Sequence, residues 1–257
     1  MKIGAVPYLN AIPLIQGLEY PVRRESPAAL ERLLKLGELD VATAPVTTLF
    51  QNADWRAVPS IAIGTKSSVK SVLLCTRRPE VTIENVRSIY LDLESRTSVL
   101  LLKVLLGLKY RRALEDIQFI TPLPSPEVEA KLIIGDKALK EQVQCSWPEG
   151  RIYDLGTEWT GWTGLPFVFA CWVTRHERLP MDLVESLQTR VRRNLQTIDD
   201  WLAPSEPYDA ALLRDYFTLH MNYGFGIEEQ RGLAAFHQYL RDLEIYDRPF
   251  ELRFITP

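Results

Sequence analysis

The sequence has little excess charge of either sign and few cysteines. Its 30 Lys and Arg residues stand against 33 Asp and Glu residues, so the formal net charge is −3. Such a balance provides no long-range attraction for a polyanion, which argues against nucleic acid as a partner. Cys75, Cys145 and Cys171 are odd in number and widely spaced, a pattern that fits neither a disulfide framework nor a metal site.

Long apolar segments and signature loops are missing as well. The longest candidate span, residues 99–108, is interrupted by Lys103 and Gly107 and is too short to cross a membrane. The N-terminus runs directly into a strand and lacks the features of a secretory signal, so we expect a cytoplasmic protein without a membrane partner. The sequence also contains no glycine-rich phosphate loop, zinc spacing or nucleophile elbow, and we expect neither a metal ion nor a cofactor.

What remains is typical of a globular α/β protein. At 257 residues with 46% hydrophobic content, the chain is long enough for one large domain or two lobes. Residues 2–6 predict a strand, Pro27 to Gly37 a helix, and residues 40–44 a second strand. This βαβ unit implies a parallel sheet with functional groups at the carboxyl ends of its strands, where Asn10 and Pro45 lie.

The remaining pattern predicts a second lobe. A strand at 88–93 and an apolar helix at 97–106 form a new βα unit, and the chain after Met181 reads as helices only. We expect a two-lobe, periplasmic-binding-protein-like fold of type II, in which a ligand binds between lobes that close by hinge motion. The predicted first lobe is 1–76 with 172–257, including C-terminal helices packed on it; the second is 77–171, and the hinge strands are 69–76 and 165–173.

One segment points to an anion site. Ser95, Arg96, Thr97 and Ser98 follow the strand of the second βα unit and open its helix. The first N–H groups of a helix are unpaired and attract negative charge. A simple N-cap needs only one hydroxyl. Three hydroxyls and a guanidinium therefore favour a carboxylate ligand over a cap alone.

Other polar residues leave two interpretations open. Asn10 either caps a helix that starts nearby or presents its amide to a substrate. Ser71 interrupts a buried strand and needs a partner, which is either a ligand or a neighbouring carbonyl. Asp136 either orients a ligand hydroxyl or caps the following helix, with the cap favoured. Thr163 and Gly164 either form an ordinary turn before a buried strand or contact the ligand. The three histidines, His176, His220 and His237, are expected at structural or exposed positions.

Seven segments of the chain form a characteristic set when taken in order. They are Pro7-Tyr8-Leu9-Asn10, residues 37–42, residues 69–74, Ser95-Arg96-Thr97-Ser98, residues 134–139, residues 154–159 and residues 163–170. This set resembles the menaquinone biosynthesis enzymes of the futalosine pathway. The Tyr-Leu-Asn start resembles the chorismate dehydratase branch more than the 1,4-dihydroxy-6-naphthoate synthase branch, whose larger substrate calls for a protein base such as histidine. The chain departs from the family at Ser67-Ser68 and at residues 46–49.

The resemblance implies a lyase that removes water from chorismate, a small dicarboxylate, to give 3-[(1-carboxyvinyl)oxy]benzoate. It implies that Asn10 and Ser71 are the catalytic pair and hold the enolpyruvyl carboxylate of the substrate, which takes the proton. A non-catalytic binding protein for a small aromatic carboxylate is the alternative, and either a monomer or a homodimer is expected. The implied substrate-binding residues are Tyr8, Pro45, Ser95, Arg96, Thr97, Ser98, Asp136, Thr163 and Gly164.

Overall fold

The computed structural model describes residues 1–92, 96–121, 128–202 and 207–256. Within these ranges, two sheets of mixed strand direction lie side by side. The first sheet has the order β2 (Val22–Arg24), β1 (Ile3–Ala5), β3 (Val41–Pro45), β10 (Phe167–Thr174), β4 (Arg56–Thr65) and β11 (Asn222–Phe225). The second has the order β7 (Gln118–Ile120), β6 (Ser88–Leu91), β8 (Ala130–Ile134), β5 (Val72–Thr76) and β9 (Ile152–Asp154).

Helices cover both sheets, and none in the described ranges is long and apolar enough to cross a membrane. The predicted N-terminal helix is confirmed: Ser26 Oγ accepts the Ala29 N–H at 3.4 Å, and Gly37 follows the helix with φ +71°. The helices are α1 (Ile12–Ile15), α2 (Pro27–Lys35), α3 (Arg96–Val104), α4 (Gly135–Gln144), α5 (Leu155–Thr163), α6 (Met181–Gln196), α7 (Ile198–Trp201), α8 (Ala210–Asp215) and α9 (Ile227–Asp242).

The prediction of hinge strands at 69–76 and 165–173 is wrong. Strand β5 pairs with β8 and β9 inside the second sheet, and β10 pairs with β3 and β4 inside the first. Strands buried along nearly their whole length, such as these, are typical of a sheet interior, whereas a hinge crosses the gap between sheets. The first lobe is therefore 1–65 with 167–256, and the second lobe lies within 72–163.

Residues 66–71 form the outgoing connection between the lobes, and the carboxylate of Asp154 holds it in place. Asp154 accepts the N–H groups of Val69 at 3.0 Å and Lys70 at 2.7 Å. The same carboxylate caps α5 by accepting the Thr157 N–H at 3.0 Å. This arrangement fixes the position of Ser71, the last residue of the connection.

The pattern after Met181 predicts only helices, but the C-terminal part also contains a strand. Tyr223 and Phe225 are buried and their neighbours less so, which is the two-residue period of a strand, and this strand, β11, pairs antiparallel with β4. The preceding helix ends in a π-helical turn at Tyr216–His220. Helix α9 contacts β10 in the first lobe and α3 in the second, so the C-terminal segment joins both lobes.

Candidate active site

A cleft lies between the two lobes and is lined by residues of both. Much of its wall is apolar and includes Val6, Ile63, Val69, Phe169 and Met221. Among the lining residues that the structure describes, Arg96 alone carries a charge, and there is no carboxylate, histidine, lysine or cysteine. The predicted site residues that line the cleft are Tyr8, Asn10, Pro45, Ser71, Arg96, Thr97 and Ser98.

Asn10 lies in a short 3-10 turn, Leu9–Ala11, at the carboxyl end of β1. It does not cap the next helix, because α1 begins after Ala11 without a side-chain cap. Its Oδ1 atom is buried and has no hydrogen-bond partner in the described part of the protein. An unpaired buried acceptor costs about 1–3 kcal/mol, so this oxygen is available to a ligand donor, while the amide also contacts the Tyr216 hydroxyl.

Thr97 offers a second unpaired polar atom from the opposite lobe. It stands in the first turn of α3 and is only 4% exposed, and its Oγ1 has no partner among the described residues. A cap would use this oxygen, so the simple capping interpretation does not hold for Thr97. Ser98 lines the cleft beside it, whereas the predicted site residue Ser95 lies outside the described residues.

Arg96 forms an ion pair across the two lobes at the rim of the cleft. Its Nη1 donates to both carboxylate oxygens of Glu31 in α2, at 2.7 and 2.9 Å. The Glu31 side chain is 3% exposed and also accepts from Lys35 Nζ at 2.5 Å, while the Arg96 side chain is 49% exposed. One carboxylate thus pairs with two cations, and Arg96 keeps further N–H donors that this ion pair does not use.

Ser71 is held by a residue that sequence reasoning did not identify. The Tyr216 hydroxyl donates to Ser71 Oγ at 2.9 Å, and Ser71 Oγ lies 3.3 Å from the carbonyl oxygen of Val69. Burial raises the pKa of Tyr216, and its side-chain hydrogen bonds with Ser71 and with the Asn10 amide offset this only in part. The phenol therefore stays protonated near neutral pH.

Asp136 belongs to the interlobe contact behind Tyr8, not to the cleft wall. Its Oδ1 accepts the Leu9 N–H at 2.9 Å, and its carbonyl accepts the Tyr208 hydroxyl at 2.7 Å. The expected cap of α4 is not formed. Ile134 at the N-cap position makes no side-chain hydrogen bond to the helix, and the Asp136 carboxylate binds the Leu9 N–H in the Asn10 turn instead. Burial raises the pKa of this carboxyl group.

Thr163 and Gly164 lie outside the cleft, so their predicted contact with the substrate gains no support from the structure. Thr163 Oγ1 donates to the Trp159 carbonyl at 2.9 Å and accepts the Leu165 N–H at 3.1 Å. Gly164 ends α5 with φ +69°. Both residues therefore serve the turn between α5 and β10.

The histidines lie away from the cleft wall. His220 Nδ1 is 2.8 Å from Ser68 Oγ in the interlobe connection, and burial lowers the pKa of His220. His176 pairs with Asp40 at 3.2 Å on the surface, and His237 packs against the Phe50 ring. Among the described residues, no three side chains of the metal-ligating types converge.

Gly135 supports the Tyr8 ring, and its replacement by alanine is expected to disturb both stability and the cleft. Gly135 has φ +61°, and a Cβ there would lie 3.1 Å from Tyr8 Cδ1. We expect Gly135→Ala to lower the unfolding free energy by about 1–2 kcal/mol, because L-residues avoid this conformation. The melting temperature and kcat/KM should both fall.

Gly161→Ala is the matched control for that variant, since nothing lies within 4 Å of its Cβ position in α5. Alanine is favoured over glycine within a helix, so the control should retain or raise the melting temperature. A Gly135→Ala protein that melts like the wild type would contradict the predicted strain.

Comparison with known proteins gives both family and fold. Residues 1–242 match the family described as menaquinone biosynthesis. Chorismate dehydratase of Thermus thermophilus is 27% identical over 264 residues, which cover 93% of this chain and 94% of that protein. A solved protein of Archaeoglobus fulgidus has a TM-score of 0.69 at 14% identity, covering 95% of this chain and 98% of its own.

The periplasmic aliphatic sulphonate binding protein of Escherichia coli has a TM-score of 0.63 at 14% identity. The match covers 100% of this chain and 92% of that chain. At such identities the likeness concerns the fold alone, and it confirms the predicted periplasmic-binding-protein-like fold.

Proposed function

The chain belongs to the menaquinone biosynthesis family, and from that membership we propose that it is a dehydratase acting on chorismate. The product is 3-[(1-carboxyvinyl)oxy]benzoate, formed by loss of one water. The Thermus thermophilus relative, which aligns over nearly its whole length, supports the assignment.

The observation that carries the proposal is the pair of unpaired polar atoms in a cleft whose wall is largely apolar. Asn10 Oδ1 and Thr97 Oγ1 line it from opposite lobes, and Arg96 stands at its rim. Chorismate is a compact dianion with one ring hydroxyl and an apolar ring face. Its hydroxyl suits the Asn10 acceptor, and its carboxylates suit Arg96 and the hydroxyls at the start of α3.

The chemistry needs a base that the described cleft wall does not offer. We assign this role to the enolpyruvyl carboxylate of the substrate, which takes the proton from the ring carbon that bears the ether. The C–H electrons form the new ring double bond, and hydroxide leaves from the adjacent carbon. The proton and the hydroxide together make the water that is lost, so the step balances without a redox partner.

The protein's part in this proposal is orientation and exclusion of water. Aromatisation drives the reaction, so a substrate held near the reactive geometry needs little further help. The Asn10 amide accepts the ring hydroxyl through its oxygen and donates to the enolpyruvyl carboxylate through its nitrogen, and Ser71 donates to the same carboxylate. The apolar wall keeps bulk water away from that carboxylate and strengthens its basicity.

Incubating the purified protein with chorismate tests the function directly. We expect a product lighter by one water with the ultraviolet spectrum of an aromatic ring, at a rate proportional to enzyme concentration. Heat-inactivated protein is the control for the spontaneous reactions of chorismate. Chorismate binding without product, followed by calorimetry, would instead identify a non-catalytic binding protein.

The pH profile tests the assignment of the base. The lining residues in the described ranges include no histidine, cysteine or lysine, and burial raises the pKa of Tyr216 further from neutrality. Carboxylates like those of the substrate have pKa values of about 4 and are ionised above pH 6. We expect kcat to stay constant between about pH 6 and 9. A bell-shaped profile centred near neutrality would point to a protein base instead.

A further inference from the structure

We propose that Tyr216 is a positioning residue that directs the Ser71 hydroxyl proton into the cleft. The inference deepens the proposed dehydration and rests on it. Tyr216 lies in the π-helical turn after α8 and is 2% exposed, so it reaches the site from the C-terminal segment without lining the cleft.

The direction of the hydrogen bonds follows from what each oxygen can do. Ser71 Oγ has one proton, and its recorded neighbours are the Tyr216 hydroxyl at 2.9 Å and the Val69 carbonyl at 3.3 Å. A carbonyl only accepts, so the serine proton goes to Val69 and the tyrosine proton goes to Ser71. The order of donation is therefore Tyr216 to Ser71 to Val69.

The last bond of this chain is the weak one. Hydroxyl hydrogen bonds are usually about 2.7–2.8 Å long, well below the 3.3 Å between Ser71 Oγ and the Val69 oxygen. A substrate oxygen in the cleft competes for the same proton with better geometry. Because Tyr216 occupies one lone pair of Ser71, the hydroxyl is confined to orientations that donate away from Tyr216.

The surrounding packing keeps Tyr216 in this role. Its ring packs against Phe217 with centroids 5.4 Å apart, and Phe217 packs in turn on Trp201 at 5.5 Å. The same segment holds the other polar half of the site, because the Tyr223 hydroxyl donates to the Asn10 carbonyl at 3.0 Å. Tyr216 thus has a fixed ring, and its hydroxyl lies between Ser71 and the Asn10 amide.

Tyr216→Phe removes the donor and keeps the ring. Ser71 then loses the bond that confines its hydroxyl, so we expect kcat to fall about tenfold while KM for chorismate stays within about twofold. Tyr20→Phe is the matched control, since its hydroxyl also donates to a side chain, Asp182, at 2.5 Å but far from the cleft. It should keep the wild-type kcat.

A double-mutant cycle separates positioning from a structural effect. Tyr216 acts through Ser71, so Ser71→Ala should lower kcat at least as much as Tyr216→Phe, and adding Tyr216→Phe to Ser71→Ala should change kcat no further. Full kcat in Ser71→Ala, or an equal tenfold loss from Tyr216→Phe in both backgrounds, would overturn the inference. Wild-type protein that makes no product from chorismate would instead refute the proposed function, and the inference with it.

Discussion

Replacing Asn10 by alanine is expected to lower kcat about 100-fold, the loss seen when one preorganised polar contact to a reacting substrate is removed. The melting temperature should change little. The Asn10 Oδ1 atom is buried without a partner among the described residues, so its removal relieves a desolvation penalty that offsets the lost contact between the amide and the Tyr216 hydroxyl. Steady-state turnover of chorismate and thermal unfolding measure the two effects.

Asn85→Ala is the control for that experiment. Asn85 is exposed in the second lobe, where its side chain donates to the Glu80 carbonyl at 2.9 Å, away from the cleft. Its replacement should leave kcat unchanged. Turnover of Asn10→Ala close to the wild-type rate would remove Asn10 from the mechanism, and a large drop in its melting temperature would return it to a structural role.

Arg96→Gln is expected to raise KM about 10- to 100-fold, with a smaller change in kcat. A charge-assisted hydrogen bond contributes about 1.5–3 kcal/mol, and Arg96 provides the one cationic group among the described lining residues. In the wild type, KM should also rise with salt, because the guanidinium is half exposed and open to screening. The variant should lose most of that salt dependence.

Two further variants distinguish a substrate contact from an interlobe latch. Glu31→Gln removes the carboxylate that pairs with Arg96 and should leave KM no higher than in the wild type. If Glu31→Gln raises KM as much as Arg96→Gln does, the ion pair itself is what matters. Arg78→Gln, at a mainly exposed residue whose nearest carboxylate is 4.0 Å away, controls for the loss of a surface charge.

Local signals in the sequence predicted the elements that depend on local chemistry. Helix α2 has its capping serine, its first-turn proline and its terminal glycine within one short segment, and it was predicted nearly to the residue. Strand β4 has no such signal, because Pro59 and the positive φ of Ser60 break its alternation. The hinge strands were misplaced because an apolar run shows that a strand is buried but not which sheet buries it.

The candidate site likewise contains residues that local sequence signals predict and one that they do not. Asn10, Thr97 and Ser98 stand at element ends, where polar side chains after a strand or at a helix start are visible in the sequence. Tyr216 was missed because its contact with Ser71 joins residues 145 positions apart. Its sequence context, between an aspartate and a phenylalanine in a helix, is that of an ordinary core tyrosine.

The contacts of residues 208–225 with the rest of the site also affect when the enzyme becomes active during its synthesis on the ribosome. Tyr208, Tyr216 and Tyr223 hold Asp136, Ser71 and Asn10, and β11 completes the edge of β4. These three tyrosines are synthesised well after Asn10, Ser71 and Asp136. A nascent chain that has folded both sheets up to β10 still lacks the residues that orient its substrate contacts. Activity therefore begins only after residues 208–225 have emerged and packed.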